Sequence, residues 1–176
     1  MLKNSPALRI SMMAVTTAIV AFFTIALRIN IPATNGYISL TDVAVTFVAF
    51  TFGPVTAFVA GGLGTAIADL AGGFASWAII SFIVHGLEAF LISLITGRKE
   101  GKENVSLMRK IAAACVAVIV VSGGYFLLTG LFLIDFPTAL AEVPVNIAQS
   151  LFGAVFGLVF SQAVRKAYRK IDDFRF

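Results

Sequence analysis

Residues 77–88 read WAIISFIVHGLE, and the reading of this stretch decides the fold. It lies in a run, residues 75–96, that is apolar and long enough to cross a bilayer. Trp77, Ser81, His85 and Glu88 interrupt the apolar pattern at i, i+4, i+8 and i+11, so a helix puts all four on one face. Ionisable groups deep in a hydrophobic span are costly, and they usually face a bundle interior, a partner or a water-filled cavity. Two readings stay open at this point. His85 and Glu88, one turn apart, satisfy each other and fix helix packing. Alternatively, the face is one wall of a polar pocket near mid-membrane, a site type used by carriers.

The surrounding chain fits a membrane setting. Of 176 residues, 59% are hydrophobic and 12% charged, and 17 are phenylalanine. The mean hydropathy of +0.98 is far from a soluble domain. Repeated long apolar runs indicate helical spans rather than the alternating strands of a membrane barrel. Cys115 is the lone cysteine and lies in an apolar run, which leaves no disulfide framework and no expected metal site. The N-terminal MLKNSPALRI is expected to lead straight into a span, without a cleavable signal pattern.

A second polar face appears in the last span, residues 139–163. Glu142, Asn146 and Gln149 fall at i, i+4 and i+7, with Pro144 in the first turns, where proline is tolerated. The first span covers residues 8–27. It contains Ala14-Val-Thr-Thr-Ala18, small residues four apart that allow close helix approach, either within the molecule or to another subunit. Residues 28–40, RINIPATNGYISL, read as a loop because Pro32, Asn35 and Gly36 break helices. Tyr37 within it is either an interfacial anchor or part of a lid. Residues 41–72 are too long for one crossing and split at Gly53-Pro54 into 42–52, which need not span fully, and 54–70. The second piece carries a small face, Gly61, Gly62 and Gly64 among alanines. Its GGLG lacks the preceding strand of a dinucleotide fingerprint. A fifth span covers 108–131, with Tyr125 near its end.

The expectation is therefore an all-α, six-span membrane protein, one domain over residues 1–176, with both termini cytoplasmic. That topology puts Lys3, Arg9, Arg98, Lys99, Lys102, Arg109, Lys110, Arg165, Lys166, Arg169, Lys170 and Arg175 on one side and leaves Arg28 opposite. The positive-inside rule makes that side cytoplasmic. The formal charge of +4 thus reports orientation, and no nucleic-acid partner is expected. Polar groups then gather toward the outer half. A pocket opening outward, floored near Glu88 and walled by the spans 75–96 and 139–163, fits this arrangement.

These features resemble the substrate-binding S components of energy-coupling factor (ECF) transporters, which import vitamins and related micronutrients in prokaryotes. The likeness covers nearly the whole chain. It rests on size, on six spans, and on Ala14-Val-Thr-Thr-Ala18. It rests also on RINIPATNGYISLTDVAVTFVAFTFGP (28–54), AGGLGTAIADLAGG (60–73) and EVPVNIAQSLFGAVFG (142–157). The resemblance implies a multi-pass protein of a prokaryotic cell membrane that is not an enzyme and needs no cofactor. It implies partners: a vitamin-like small molecule, a transmembrane coupling subunit and two ATPase subunits. The chain's own sequence has no GxxxxGK[ST] phosphate loop. Ala14 and Ala18 would dock the coupling subunit. The loaded protein would topple in the bilayer, which suits a smooth apolar exterior. Cargo would bind near the outer face, at Asn35, Tyr37, Trp77, Ser81, His85, Glu88, Tyr125, Glu142, Asn146 and Gln149. A looser likeness to hydroxymethylpyrimidine or pyridoxine S components suits a small flat heterocycle with hydrogen-bond donors. Two other classes remain: a structural or assembly protein whose polar residues only fix packing, and a small intramembrane enzyme using His85 and Glu88 as acid and base.

Overall fold

The computed structural model describes residues 5–32, 34, 36–97 and 105–175. Seven α-helices carry the fold: α1 (Pro6–Ala26), α2 (Thr41–Thr51), α3 (Pro54–Gly72), α4 (Ala78–Ile95), α5 (Leu107–Val118), α6 (Gly124–Phe132) and α7 (Phe136–Ala167). A π-helical turn, Ile119–Gly123, joins α5 to α6, so Leu107–Phe132 runs as one 26-residue helical rod. Among the described residues, five helices are long and apolar enough to cross a membrane. The remaining apolar helix, α2, has 11 residues and reaches only about 16 Å, half of a hydrocarbon core.

Local chemistry sets the helix ends. Ser5 caps α1 by accepting from the Leu8 amide, and Pro6 starts the helix where a missing N–H costs nothing. Pro54 does the same for α3. Asp135 caps α7 through the Thr138 amide at 2.8 Å. The segment expected to be a loop is a β-hairpin, β1 (Arg28–Ile31) and β2 (Gly36–Ser39), antiparallel, with Asn30 opposite Tyr37. The architecture is helical with this one hairpin.

The core forms around α2. All eleven of its residues are buried, and it therefore lacks the polar stripe of a surface helix. Val45, Phe47, Val48 and Phe52 pack with Val20 of α1 and Ile92 of α4. Its C-terminal end leaves carbonyls that need donors. Arg165 of α7 and Arg175 of the tail both donate to the Phe50 carbonyl, and Ser93 donates to that of Phe52 at 3.1 Å. Ile171 and Phe174 of the terminal 3-10 helix (Arg169–Phe174) pack beneath, filling the space that a full-length span would occupy.

The small face of α3 lets α1 and α4 approach it. A Cβ at Gly61 would lie 2.6 Å from the His85 carbonyl oxygen, a backbone atom that cannot step aside without moving α4. Large apolar side chains such as Phe22, Ile79 and Phe132 point outward, as lipid-facing surface requires. Of the basic residues used to orient the chain, Lys3, Arg98, Lys99 and Lys102 lie outside the described residues.

Candidate ligand cavity between the hairpin and helices α3, α4, α6 and α7

The hairpin closes over one end of the bundle, and a polar cavity lies beneath it. Its empty volume, counting the part open to solvent, is about 480 Å³. Each wall follows from local structure. Helix α4 presents Ser81 and His85 one turn apart, with Trp77 just before its first turn. Facing them, α7 presents Glu142, Asn146 and Gln149. Tyr125 comes from α6, Thr65 and Asp69 from α3, and Tyr37 and Ser39 from β2.

One side is aromatic. The Tyr125 ring lies 6.2 Å from Trp77 and 5.6 Å from His85, and its hydroxyl donates to Ser81 Oγ at 2.9 Å. A flat ring would find π-faces there. The opposite side is held by a carboxamide: Gln149 accepts from the Ser39 amide at 2.8 Å and donates to the Asp42 carboxylate, so one side chain ties α7 to the hairpin and to α2. Toward the mouth, the Tyr37 hydroxyl donates to the Asp69 carboxylate. The Arg28 guanidinium stacks over Tyr37 at 4.1 Å and Phe74 at 5.0 Å and donates to the Ala68 carbonyl. Burial, with the Asp69 carboxylate beside it, pushes the Tyr37 phenol well above its ordinary pKa, while Arg28 opposes the shift. Arg28 is thus built into the hairpin's support.

Two cavity-lining residues carry buried polar atoms without a hydrogen-bond partner among the described residues: Asn146 Nδ2, a donor, and Asp69 Oδ2, an acceptor. Such atoms are rare in folded proteins. A ligand with both a donor and an acceptor would satisfy the pair.

A family model described as "ECF-type riboflavin transporter, S component" matches residues 5–166. The chain belongs to this S component family. A relative in Lactococcus lactis subsp. cremoris (strain MG1363), named thiamine precursor transporter HmpT, is 27% identical over 94% of this chain and 93% of its own length. A Pyrococcus woesei protein, described as an uncharacterised protein in gap 3'region, is 39% identical over 69 residues, or 39% of this chain and 46% of its own length. This S component is accordingly a multi-pass membrane protein of vitamin uptake, a substrate-binding subunit of a transporter and not an enzyme.

Within this S component the structure brings Tyr37, Trp77, Ser81, His85, Tyr125, Glu142, Asn146 and Gln149 to one cavity. It does not put Glu88 on the wall. Glu88 is fully buried behind His85, whose Nδ1 lies 2.9 Å from Glu88 Oε2. A shared helical face fixes the direction of a side chain, and Glu88 lies a turn deeper than His85. Asn35 lies outside the described residues. Asp69 and Thr65 were not singled out as site residues. Asp69 reads from sequence as a helix-end acid, and only its pairing with Tyr37 across the hairpin reveals its place.

Proposed function

We propose that this S component captures a small heterocyclic vitamin precursor in the cavity beneath the hairpin and delivers it to an ECF module in a prokaryotic cell membrane. The observation that carries the reading is the pair of unpartnered atoms, Asn146 Nδ2 and Asp69 Oδ2, beside the Trp77–Tyr125–His85 aromatic wall. Donor, acceptor and stacking surface together suit an aminopyrimidine or a pyridoxine-like ring. The Lactococcus relative's name, thiamine precursor transporter, supports a pyrimidine such as hydroxymethylpyrimidine. The family description names riboflavin, a tricyclic ring with a ribityl chain. The Lactococcus relative, matched over 94% of this chain, weighs for the single ring.

In this reading residues 1–176 act as one domain with six crossings and cytoplasmic termini. Helix α2 makes its crossing with help from the Arg165 and Arg175 side chains at its inner end. Ala14 and Ala18, exposed on α1, meet the transmembrane coupling subunit, and two ATPase subunits supply the power. The cavity groups Trp77, Ser81, Tyr125, Glu142 and Gln149 complete the site with Tyr37 and His85, and Asn35, outside the described residues, is kept as a further candidate contact.

Calorimetric titration of the purified protein with hydroxymethylpyrimidine, pyridoxine and riboflavin tests this. The reading expects tight binding of a single-ring compound and weak binding of riboflavin. Tight riboflavin binding with no response to either single ring would overturn the cargo assignment.

A further inference from the structure

Behind the cavity wall lies a cluster that cargo binding does not explain. Asp42, in the first turn of α2, meets His85 and Glu88 of α4, and one ligating atom from each lies within 4.8 Å of the others. All three side chains are buried, at 1%, 3% and 0% exposure. Each carboxylate has one oxygen in use. Asp42 Oδ2 accepts from Gln149, and Glu88 Oε2 faces His85 Nδ1. The other two, Asp42 Oδ1 and Glu88 Oε1, have no hydrogen-bond partner among the described residues.

We propose that Asp42, His85 and Glu88 form a binding site for one divalent transition-metal cation. Charge is the first reason. Two carboxylates side by side in an apolar interior repel each other and are poorly solvated. The arginines nearest in the fold are committed elsewhere: Arg28 to Tyr37, Phe74 and the Ala68 carbonyl, and Arg165 and Arg175 to the C-terminal end of α2. A divalent cation with a neutral imidazole brings the cluster to zero net charge.

The donor set gives the class of ion. Two carboxylate oxygens and one imidazole nitrogen suit Zn²⁺ or Mn²⁺ better than Ca²⁺ or Mg²⁺, which prefer oxygen alone, or soft ions, which prefer sulfur. Bonds of about 2.0–2.2 Å in a tetrahedral site put donor atoms roughly 3.4 Å apart. A contraction of about 1.4 Å from the 4.8 Å spacing closes the site, within the reach of side-chain rotation. Gln149, donating to Asp42 Oδ2, orients that carboxylate from outside as supporting groups do in metal sites. His85 also lines the cavity, which gives the ion a way in from the outer mouth. Sequence spacing carried no metal motif because Asp42 joins the pair only through the packing of α2 on α4. The inference goes beyond the transport reading and does not rest on it.

The test uses the full-length protein in detergent, stripped with a chelator and dialysed against Zn²⁺ or Mn²⁺. Metal content by plasma mass spectrometry should reach about one ion per chain. Asp42→Asn and Glu88→Gln should each weaken binding at least about tenfold. Because these variants risk misfolding, the wild type is also loaded with Co²⁺. It should show the visible absorption band of a bound ion, abolished by excess Zn²⁺. Metal content no higher than the buffer blank, or a Glu88→Gln variant that folds and binds as tightly as wild type (an adventitious ion only), would overturn the proposal. No vitamin enters these measurements, so their failure leaves the cargo reading standing.

Discussion

Gly36 of the hairpin rests on Glu142 of α7: a Cβ built at Gly36 would lie 2.9 Å from Glu142 Oε1. The same Cβ would lie 3.2 Å from Thr34 Oγ1 and 3.3 Å from Trp77 Cζ2, so the turn is seated against both cavity walls at once. In the transport reading proposed above the hairpin is a lid, and its seat at this point is close enough to favour a residue without a side chain. Gly36→Ala makes the flexible Glu142 carboxylate swing aside and Thr34 and Trp77 give slightly, so it should loosen the seat of the turn at a cost of about 1 kcal/mol. Hydrogen exchange over residues 28–39 should speed up, and cargo should leave faster, with helix exchange unchanged. Wild-type exchange across the hairpin in that variant would remove the lid role.

Tyr37 links that lid to the bundle. Its phenol is held above its ordinary pKa by burial first and by Asp69 second. The folded protein keeps this proton where the unfolded chain releases it, so the unfolded state binds fewer protons above about pH 10. The stabilisation is complete below that pH and falls as pH rises through it. Melting temperature should drop more steeply above about pH 10 in wild type than in Tyr37→Phe. At neutral pH, Tyr37→Phe keeps the ring under Arg28 but strips Asp69 of its donor. That should cost about 1–3 kcal/mol. Parallel melting curves for the two proteins across the alkaline range would contradict this.

Ala14 and Ala18 stand on the exposed side of α1, beside Val15 and Phe22, while Thr17 and Val20 face the bundle. Both positions are exposed, so a tryptophan at either points away from the bundle. Stability should shift by no more than about 0.5 kcal/mol, and cargo affinity should hold. Co-purification with a coupling subunit, and transport, should both be lost. Intact complexes with Trp at both positions would place the docking surface elsewhere.

Much of this architecture was legible in the sequence, for a physical reason. Apolar length reports spans, and period 3.6 reports faces, so Trp77, Ser81 and His85 and the facing Glu142, Asn146 and Gln149 could be paired in advance. The hairpin was not legible. Its strands have four residues each, too few for alternation to show, and Pro32, Asn35 and Gly36 signal only the end of a helix. Depth was not legible either. Glu88 shares its face with His85, but nothing in the spacing says that His85 lines the cavity while Glu88, bonded to it, does not. Nor does the sequence bring Asp42 to Glu88: their meeting depends on how α2 packs against α4. The 11-residue length of α2 matched the expectation that this piece need not span fully. The arginines that complete its C-terminal end come from the far end of the chain.

The central claim is that cargo sits between α4 and α7 and meets Asn146. The most direct measurement is the affinity of hydroxymethylpyrimidine for wild type and for Asn146→Ala, by calorimetry, with melting temperatures recorded alongside. Asn146 is only partly buried, and its Nδ2 has no partner among the described residues, so truncation removes no hydrogen bond from that atom within the protein. The account predicts a loss of about 1–3 kcal/mol in binding, roughly tenfold to a hundredfold in Kd, at nearly unchanged melting temperature. An unchanged Kd with a lowered melting temperature would contradict it and reduce Asn146 to a packing residue.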